Sequence, residues 1–255
     1  MSTIGNNATH PWQTRPKRFP PAVSIDVTAA SMLEYWHARA RQHTHDLYVG
    51  VPLSKFPEDL RVYEHLLWLQ TPDTVIEVGT QWGGSALWFR DRLRTLRDYG
   101  RIGGDPLVIS VDVVQDAARD KLTHADAGYA EQIRLVEADI RDPRTAGMIA
   151  DLVADRPNRL VIEDSAHVYD TTRAALDVLA PLVPLDGFMV IEDGCVDVDQ
   201  LRIDENWPRG VLPALHYWLG SDLGSQFVVR RDLELYGLTC HPEGFLQRVV
   251  RPDGA

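Results

Sequence analysis

The chain has 255 residues, 44% of them hydrophobic, enough for one large α/β domain with a substantial core. Its formal net charge of −11 argues against a nonspecific nucleic-acid binder, whose affinity comes from Lys and Arg meeting phosphates. No run reaches the roughly 18 apolar residues of a membrane span, and the N-terminus MSTIGNNATHPWQTRPKRFPPAV lacks the apolar core of a signal peptide, so no membrane partner and a cytoplasmic protein are expected.

Residues 1–23 contain four prolines among small polar residues and read as a flexible arm, or one laid over a partner subunit. A single domain is expected over 24–255, divided into an N-terminal helical segment (24–70), a core (71–193), a substrate cover (194–225) and an edge hairpin (226–255). Thr28 is placed to N-cap a helix running to about Gln42, and Pro57, followed by acidic Glu58 and Asp59, opens a second helix to about Leu69. Apolar runs then alternate with helical ones: TVIEVG (74–79), a helix over 84–98, LVISVD (107–112), a helix over 116–126, IRLVEAD (133–139), a helix over 144–154, RLVIED (159–164), a helix over 171–182, and GFMVIED (187–193). This rhythm predicts βαβ units and a parallel sheet covered on both faces. QFVVRRDL (226–233) and GFLQRVV (244–250) break it and predict two antiparallel strands at one edge. Five parallel strands closed by such a hairpin make the Rossmann-like fold of class I S-adenosylmethionine (SAM)-dependent methyltransferases the expected architecture. Cys195 and Cys240 have no metal-binding spacing and are expected as thiols without a functional role.

In VIEVGTQWGGSALW, Gly79 ends a strand and Gly83, Gly84 and Ser85 open a helix, where backbone N–H groups can hold an anion and glycines admit a ligand. From Glu77 the spacing is E-x-G-x-x-x-G-G, which favours the amino-acid carboxylate of SAM over a dinucleotide pyrophosphate. Asp112, ending the second strand, is placed to accept the ribose hydroxyls, and Asp139, ending the third, to meet the adenine amino group. A FAD or NAD enzyme would use the Asp112 position in the same way, so the glycine spacing is the discriminator.

The word VIED occurs at 161–164 and again at 190–193. If these are neighbouring parallel strands, Asp164 lies beside Glu192 and Asp193 at the ligand-bearing edge. Three carboxylates so close repel unless a cation bridges them, and an all-oxygen set suits Mg²⁺. His167, three residues after Asp164, is a base of near-neutral pKa beside that set; the other eight histidines show no such context. Lys55 is able to reach an anionic group of SAM, but reads by default as a solvated lysine.

The stretches DLYVGVPLSKFPEDLRVYEHLLW, VIEVGTQWGGSALWF, VIEDSAH and VIEDG resemble, in this order and spacing, the cephalosporin hydroxylase family of SAM-binding proteins. Catalytic domains of metal-dependent sugar O-methyltransferases of macrolide biosynthesis, of the mycinamicin type, are related to it. The resemblance spans roughly residues 45–195 and is weak beyond Asp193. It implies Asp164, Glu192 and Asp193 as Mg²⁺ ligands, His167 as general base with Asp164 in the catalytic set, and a homo-oligomer. The expected activity is Mg²⁺-dependent methyl transfer from SAM to a sugar or polyol hydroxyl of a glycosylated natural product in antibiotic-type metabolism. WPRGVLPALHYWLG (207–220) is the expected substrate cover, its alternative being ordinary helix packing. Two other readings stand beside this one. An iron oxygenase or methoxylation component would use the H-x-D of His124 and Asp126. A non-catalytic SAM-binding accessory protein would keep the glycine turn but leave the carboxylates and His167 without a task.

Overall fold

Ser31 starts the first helix, α1 (Met32–His43), through a reciprocal box: its hydroxyl accepts from the Glu34 N–H while the Glu34 carboxylate accepts from the Ser31 N–H. Thr28, the expected cap, instead bonds the Asp26 carboxylate. The computed structural model describes residues 25–249 except Val27, so the arm expected over 1–23 lies outside the described residues. After α1 come a two-stranded antiparallel ladder, β1 (Leu47–Tyr48) with β2 (Val51–Pro52), and α2 (Pro57–Gln70), which opens on its proline with Glu58 and Asp59 in the first turn.

The alternating part follows as β3 (Thr74–Val78), α3 (Gly84–Asp98), β4 (Leu107–Asp112), α4 (Asp116–Ala125), β5 (Ile133–Glu137), α5 (Pro143–Leu152), β6 (Arg159–Glu163), α6 (Tyr169–Leu179) and β7 (Phe188–Ile191). It is completed by α7 (Val211–Leu219), β8 (Phe227–Val229) and β9 (Phe245–Arg248). These build a seven-stranded sheet in the order β5-β4-β3-β6-β7-β9-β8, parallel from β5 to β7 and antiparallel where β9 pairs with β7 and β8. The inner parallel strands β3, β4, β6 and β7 are nearly continuous runs of buried apolar residues because helices cover both faces, whereas the edge strand β5 has two exposed residues. One face packs against α1, α5, α6 and α7, the other against α2, α3 and α4.

Register decides what the two VIED words do. Ile162 pairs with Val190 and Glu163 with Ile191, so the second word is slipped by one residue against the first. A one-residue slip turns alternate side chains to the opposite face. Continued one step beyond the strands, this register sets Asp164 opposite Glu192 and turns Glu163 to the other side, where Ser165 holds it. Burial pushes the Glu163 carboxyl up to about 7 against that hydrogen bond.

The segment after β7 is a chain of short 3-10 turns rather than one helical cover. Asp197 fixes its end by accepting from the Gly210 and Leu212 N–H groups at the start of α7. Within α7, Leu215 and Trp218 are fully buried in the core, so this helix packs as an ordinary core helix; of the cover expected over 194–225, Cys195, Val196, Trp207 and Pro208 line the cavity.

Candidate functional site

The carboxyl ends of the parallel strands open into one cavity of about 660 Å³. One side is formed by the strand-turn segments Gly79–Trp82, Val111–Val113 and Ala138–Arg141, the other by Trp36, Ala40 and His43 of α1 with Trp207 and Pro208, and Asp164, His167 and Asp193 stand between them.

Gly79 is forced by close approach. Its φ is +104°, and a Cβ there would lie 1.8 Å from the Asp164 carbonyl oxygen, so the end of β3 touches the end of β6 through bare backbone. The turn is held from the next strand: Asp112 Oδ2 accepts from the Thr80 and Gln81 N–H groups at 2.9 and 3.0 Å, and Oδ1 accepts from the Val113 N–H at 2.7 Å. Asp139 lies on the same side and is paired with Arg141, whose hydrogen bonds hold its carboxyl below the usual range. Glu77, Gly83, Gly84 and Ser85 are placed behind this surface. A Cβ on Gly84 would meet the Pro52 carbonyl at 2.0 Å, so that glycine lets α3 pack against β2. Glu77 is 1% exposed, accepts from the Ser110 hydroxyl at 2.6 Å and is pushed by burial up to about 7, while the Ser85 hydroxyl faces the same carboxyl.

The three predicted carboxylates converge, each pair through a different nitrogen group. His167 Nε2 lies 3.1 Å from Asp164 Oδ1 and 3.3 Å from Asp193 Oδ2. Burial works against its charged form, but Asp193 and Asp164 prevail and push it up to about 10. Both His167 and Asp193 have left-handed backbone, with φ of +57° and +56°, as the chain turns sharply out of β6 and β7. Asp164 and Glu192 share Lys55, whose Nζ donates to Asp164 Oδ2 at 2.9 Å and to the two Glu192 oxygens at 2.7 and 2.6 Å. Lys55 is 5% exposed, which overturns the expectation of a solvated side chain. Against the burial that lowers it, the neighbouring carboxylates hold its ammonium well above the ordinary range.

Glu192 and Asp193 are bracketed by His241, which the sequence reading passed over. The Asp193 N–H donates to His241 Nδ1 at 3.0 Å, so the ring proton is on Nε2, 3.6 Å from Asp59 Oδ2 and 3.7 Å from Glu192 Oε2. Tyr63 donates to Glu192 Oε1 at 2.5 Å. Glu192, 2% exposed, is therefore engaged from behind, whereas Asp164 and Asp193 face the cavity. His43 is a second histidine without a sequence signal. Its Nδ1 bonds the Ala40 carbonyl, its ring packs edge-on to Phe56, and burial lowers its pKa. Two thiols thought inert, Cys195 and Cys240, also line the cavity. His124 and Asp126 do not: His124 bonds the Asp120 carbonyl and Asp126 pairs with Arg90 at the end of α4.

Asp164, His167 and Asp193 each offer a ligand atom within 4.8 Å of the others, as do Glu192, Asp193 and His241. Carboxylate oxygens with one imidazole at a cavity wall suit a hard cation, and Asp164 and Asp193 fit it best because Lys55 already neutralises Glu192.

Comparison with known proteins agrees with this architecture. The family model for Rhamnosyl O-methyltransferase/CmcI matches residues 40–249. Rhamnosyl O-methyltransferase of Mycobacterium tuberculosis (strain H37Rv) is 28% identical over 163 residues, 64% of this chain and 62% of that protein. The Mycobacterium leprae protein of the same name is 29% identical over 150 residues, 57% of this chain and 59% of its own. The aligned part is thus less than two thirds of these relatives' length. Among solved structures, a Mg–SAM form of CmcI superposes with a TM-score of 0.58 at 19% identity, covering 98% of this chain and 88% of that one. The mycinamycin-pathway methyltransferase MycE, in complex with Mg, SAH and mycinamycin VI, gives 0.50 at 18% identity, covering 89% and 57%. The fold is that of the class I SAM-dependent methyltransferases. With the family model matching most of its length, the chain belongs to the Rhamnosyl O-methyltransferase/CmcI family.

Proposed function

We propose that this protein is a SAM-dependent O-methyltransferase acting on a sugar or polyol hydroxyl of a small-molecule acceptor, with a divalent-ion site at Asp164 and Asp193. The observation that carries this reading is the single cavity joining the β3, β4 and β5 strand ends to the carboxylate cluster. SAM would be held by Gly79, Asp112 and Asp139, with Glu77, Gly83, Gly84 and Ser85 shaping the turn from behind. Mg²⁺ would be held by Asp164 and Asp193 with Glu192 adjoining, and its chemistry there is to lower the pKa of a hydroxyl oxygen. Trp36, His43, Trp207 and Pro208 then form the acceptor side, where tryptophan faces suit the apolar faces of a sugar ring. His167 would act as the base once the ion occupies Asp164 and Asp193, which now hold a proton on its Nε2 from 3.1 and 3.3 Å, and Nε2 is freed to take the acceptor's proton.

The rhamnosyl substrate in the relatives' name makes a rhamnoside the first acceptor class to try. The test follows transfer of labelled methyl from SAM to methyl rhamnoside and to rhamnosylated natural products, with and without EDTA. Transfer that EDTA and His167→Ala both abolish, while SAM still binds, supports the reading. SAM binding with no turnover on any glycosidic acceptor would instead favour a non-catalytic accessory protein. Among the described residues no helix is long and apolar enough to cross a membrane, which fits a small-molecule acceptor reached from water.

A further inference from the structure

Three carboxylates at the ends of β6 and β7 need positive charge to stay together, and a bound metal ion is one source of it. The chain contains another. Lys55 leaves the short loop between β2 and α2 and reaches behind the cavity, where its Nζ meets Asp164 Oδ2 and both Glu192 oxygens at 2.6 to 2.9 Å. Three acceptors use all three donors of an ammonium. The remaining sides of Glu192 are closed by Tyr63 and His241, so nothing here is left for solvent.

We propose that Lys55 is a resident cation: a positioning residue that keeps Asp164 and Glu192 assembled when the site holds no metal, and that weakens the affinity of the site for a divalent ion. The second half rests on the reading of Asp164 and Asp193 as the ion site. The first half rests on the geometry alone. An ion entering from the cavity meets Asp164 with an ammonium 2.9 Å behind it, and meets Glu192 already cancelled. Removing that ammonium without shortening the side chain leaves the three carboxylates with His167, His241 and the Tyr63 hydroxyl but no lysine charge between Asp164 and Glu192. Two consequences follow, and their signs separate this role from packing. The protein becomes less stable, and divalent ions restore stability because they bind more tightly to the more negative site. A lysine that served only to fill space would give a loss that ions do not repair and an ion affinity that is unchanged or weaker.

The experiment uses Lys55→Met, Lys55→Arg and the double variant Lys55→Met/Glu192→Gln in the full chain. The readouts are Tm in EDTA and in millimolar MgCl2, and Mn²⁺ binding followed by electron paramagnetic resonance. Lys55→Met is expected to lose about 10 °C in EDTA, as for one partner of a buried ion pair. Mg²⁺ should return at least half of that, and Mn²⁺ should bind about tenfold more tightly than in the wild type. Lys55→Arg should follow the wild type, and the double variant, with both charges gone, should recover most of its Tm in EDTA. Should Lys55→Met fail to fold while the double variant folds, charge cancellation is equally supported. A double variant no more stable than the single one, or a Lys55→Met protein indifferent to Mg²⁺, overturns the proposal. Wild-type protein that binds no Mn²⁺ would remove the ion-site reading, and the comparison of single and double variants in EDTA would still decide the role of Lys55.

Discussion

The two sides of the cavity are built in different ways. On the proposed cofactor side each wall segment is the end of a strand and the turn that follows it, and Asp112 ties one turn to the next through three backbone N–H groups. The proposed acceptor side is assembled from pieces remote in sequence: α1 supplies Trp36 and His43, the segment before α7 supplies Trp207, and the turn before β9 supplies Cys240. A single hydrogen bond from the structure shows how those pieces meet, His37 Nε2 to the Gln200 carbonyl at 2.8 Å. A strand end is a local feature that evolution can vary only within the sheet register, whereas an assembled wall can change one piece at a time. Chemistry is expected on the first and acceptor choice on the second.

Asp193 stands where the two sides join, and its replacement should have the largest effect on activity. Asp193→Asn removes one of the two carboxylates of the Asp164–Glu192–Asp193 cluster that face the cavity. On the proposed reading, methyl transfer should fall by about 10³-fold, while SAM affinity by calorimetry changes less than about threefold. Loss of SAM binding in proportion would mean that the two sides do not act separately. Next in size is Gly79→Ala, which would break the cofactor side alone. With φ at +104° and a Cβ placed 1.8 Å from the Asp164 carbonyl, β3 and β6 must separate. Chemical denaturation should show a loss of about 3 kcal/mol or more, with SAM binding lost as well.

The same contrast explains what could be read from the sequence. The glycine turn, the Asp112 and Asp139 strand ends and both VIED words announce themselves within a few residues, and the bounds of α3 and β4 are those expected. Asp164, Glu192 and Asp193 follow from strand order, because β6 lies between β3 and β7. Lys55 was not legible, since its partners are 109 and 137 residues away and a lone lysine in a loop reads as solvated. His241 is similar, reaching Asp193 across 48 residues. The start of α1 was legible, for Ser31 and Glu34 form an S-x-x-E box that outranks a lone threonine. The acceptor side follows from tertiary packing alone, so the aromatic stretch 207–220 overstated the cover: Trp218 goes to the core and α1 supplies the other half.

Glu77 offers a smaller and purely thermodynamic test of the cofactor side. Its folded pKa of about 7 lies above the ordinary 4.5 because the carboxyl is buried. The stability it contributes is therefore fully present below pH 4.5 and lost as pH rises through 7. Glu77→Gln keeps an acceptor for the Ser110 hydroxyl and removes the titration. Compared by urea denaturation at pH 5 and pH 8, the variant should gain roughly 3 kcal/mol on the wild type between the two. Parallel curves would show that Glu77 titrates normally and that the strand-end polar cluster is open to water.

Trp207→Ala probes the acceptor side and carries the smallest predicted effect. Trp207 is half-buried and lines the cavity, and its carbonyl, with that of Val196, accepts from the Arg202 guanidinium, which holds the turn without using the indole. Truncation therefore removes an aromatic face and leaves the backbone support intact. With a rhamnoside acceptor the expected result is a rise of about tenfold in the acceptor KM, near 1.4 kcal/mol, with kcat and SAM affinity close to wild type. That pattern would mean that the indole binds ground state and transition state alike, as a platform for the sugar should. A fall in kcat at unchanged KM would place Trp207 with the chemistry instead, and the division between a strand-built cofactor side and an assembled acceptor side would have to be redrawn at Asp193.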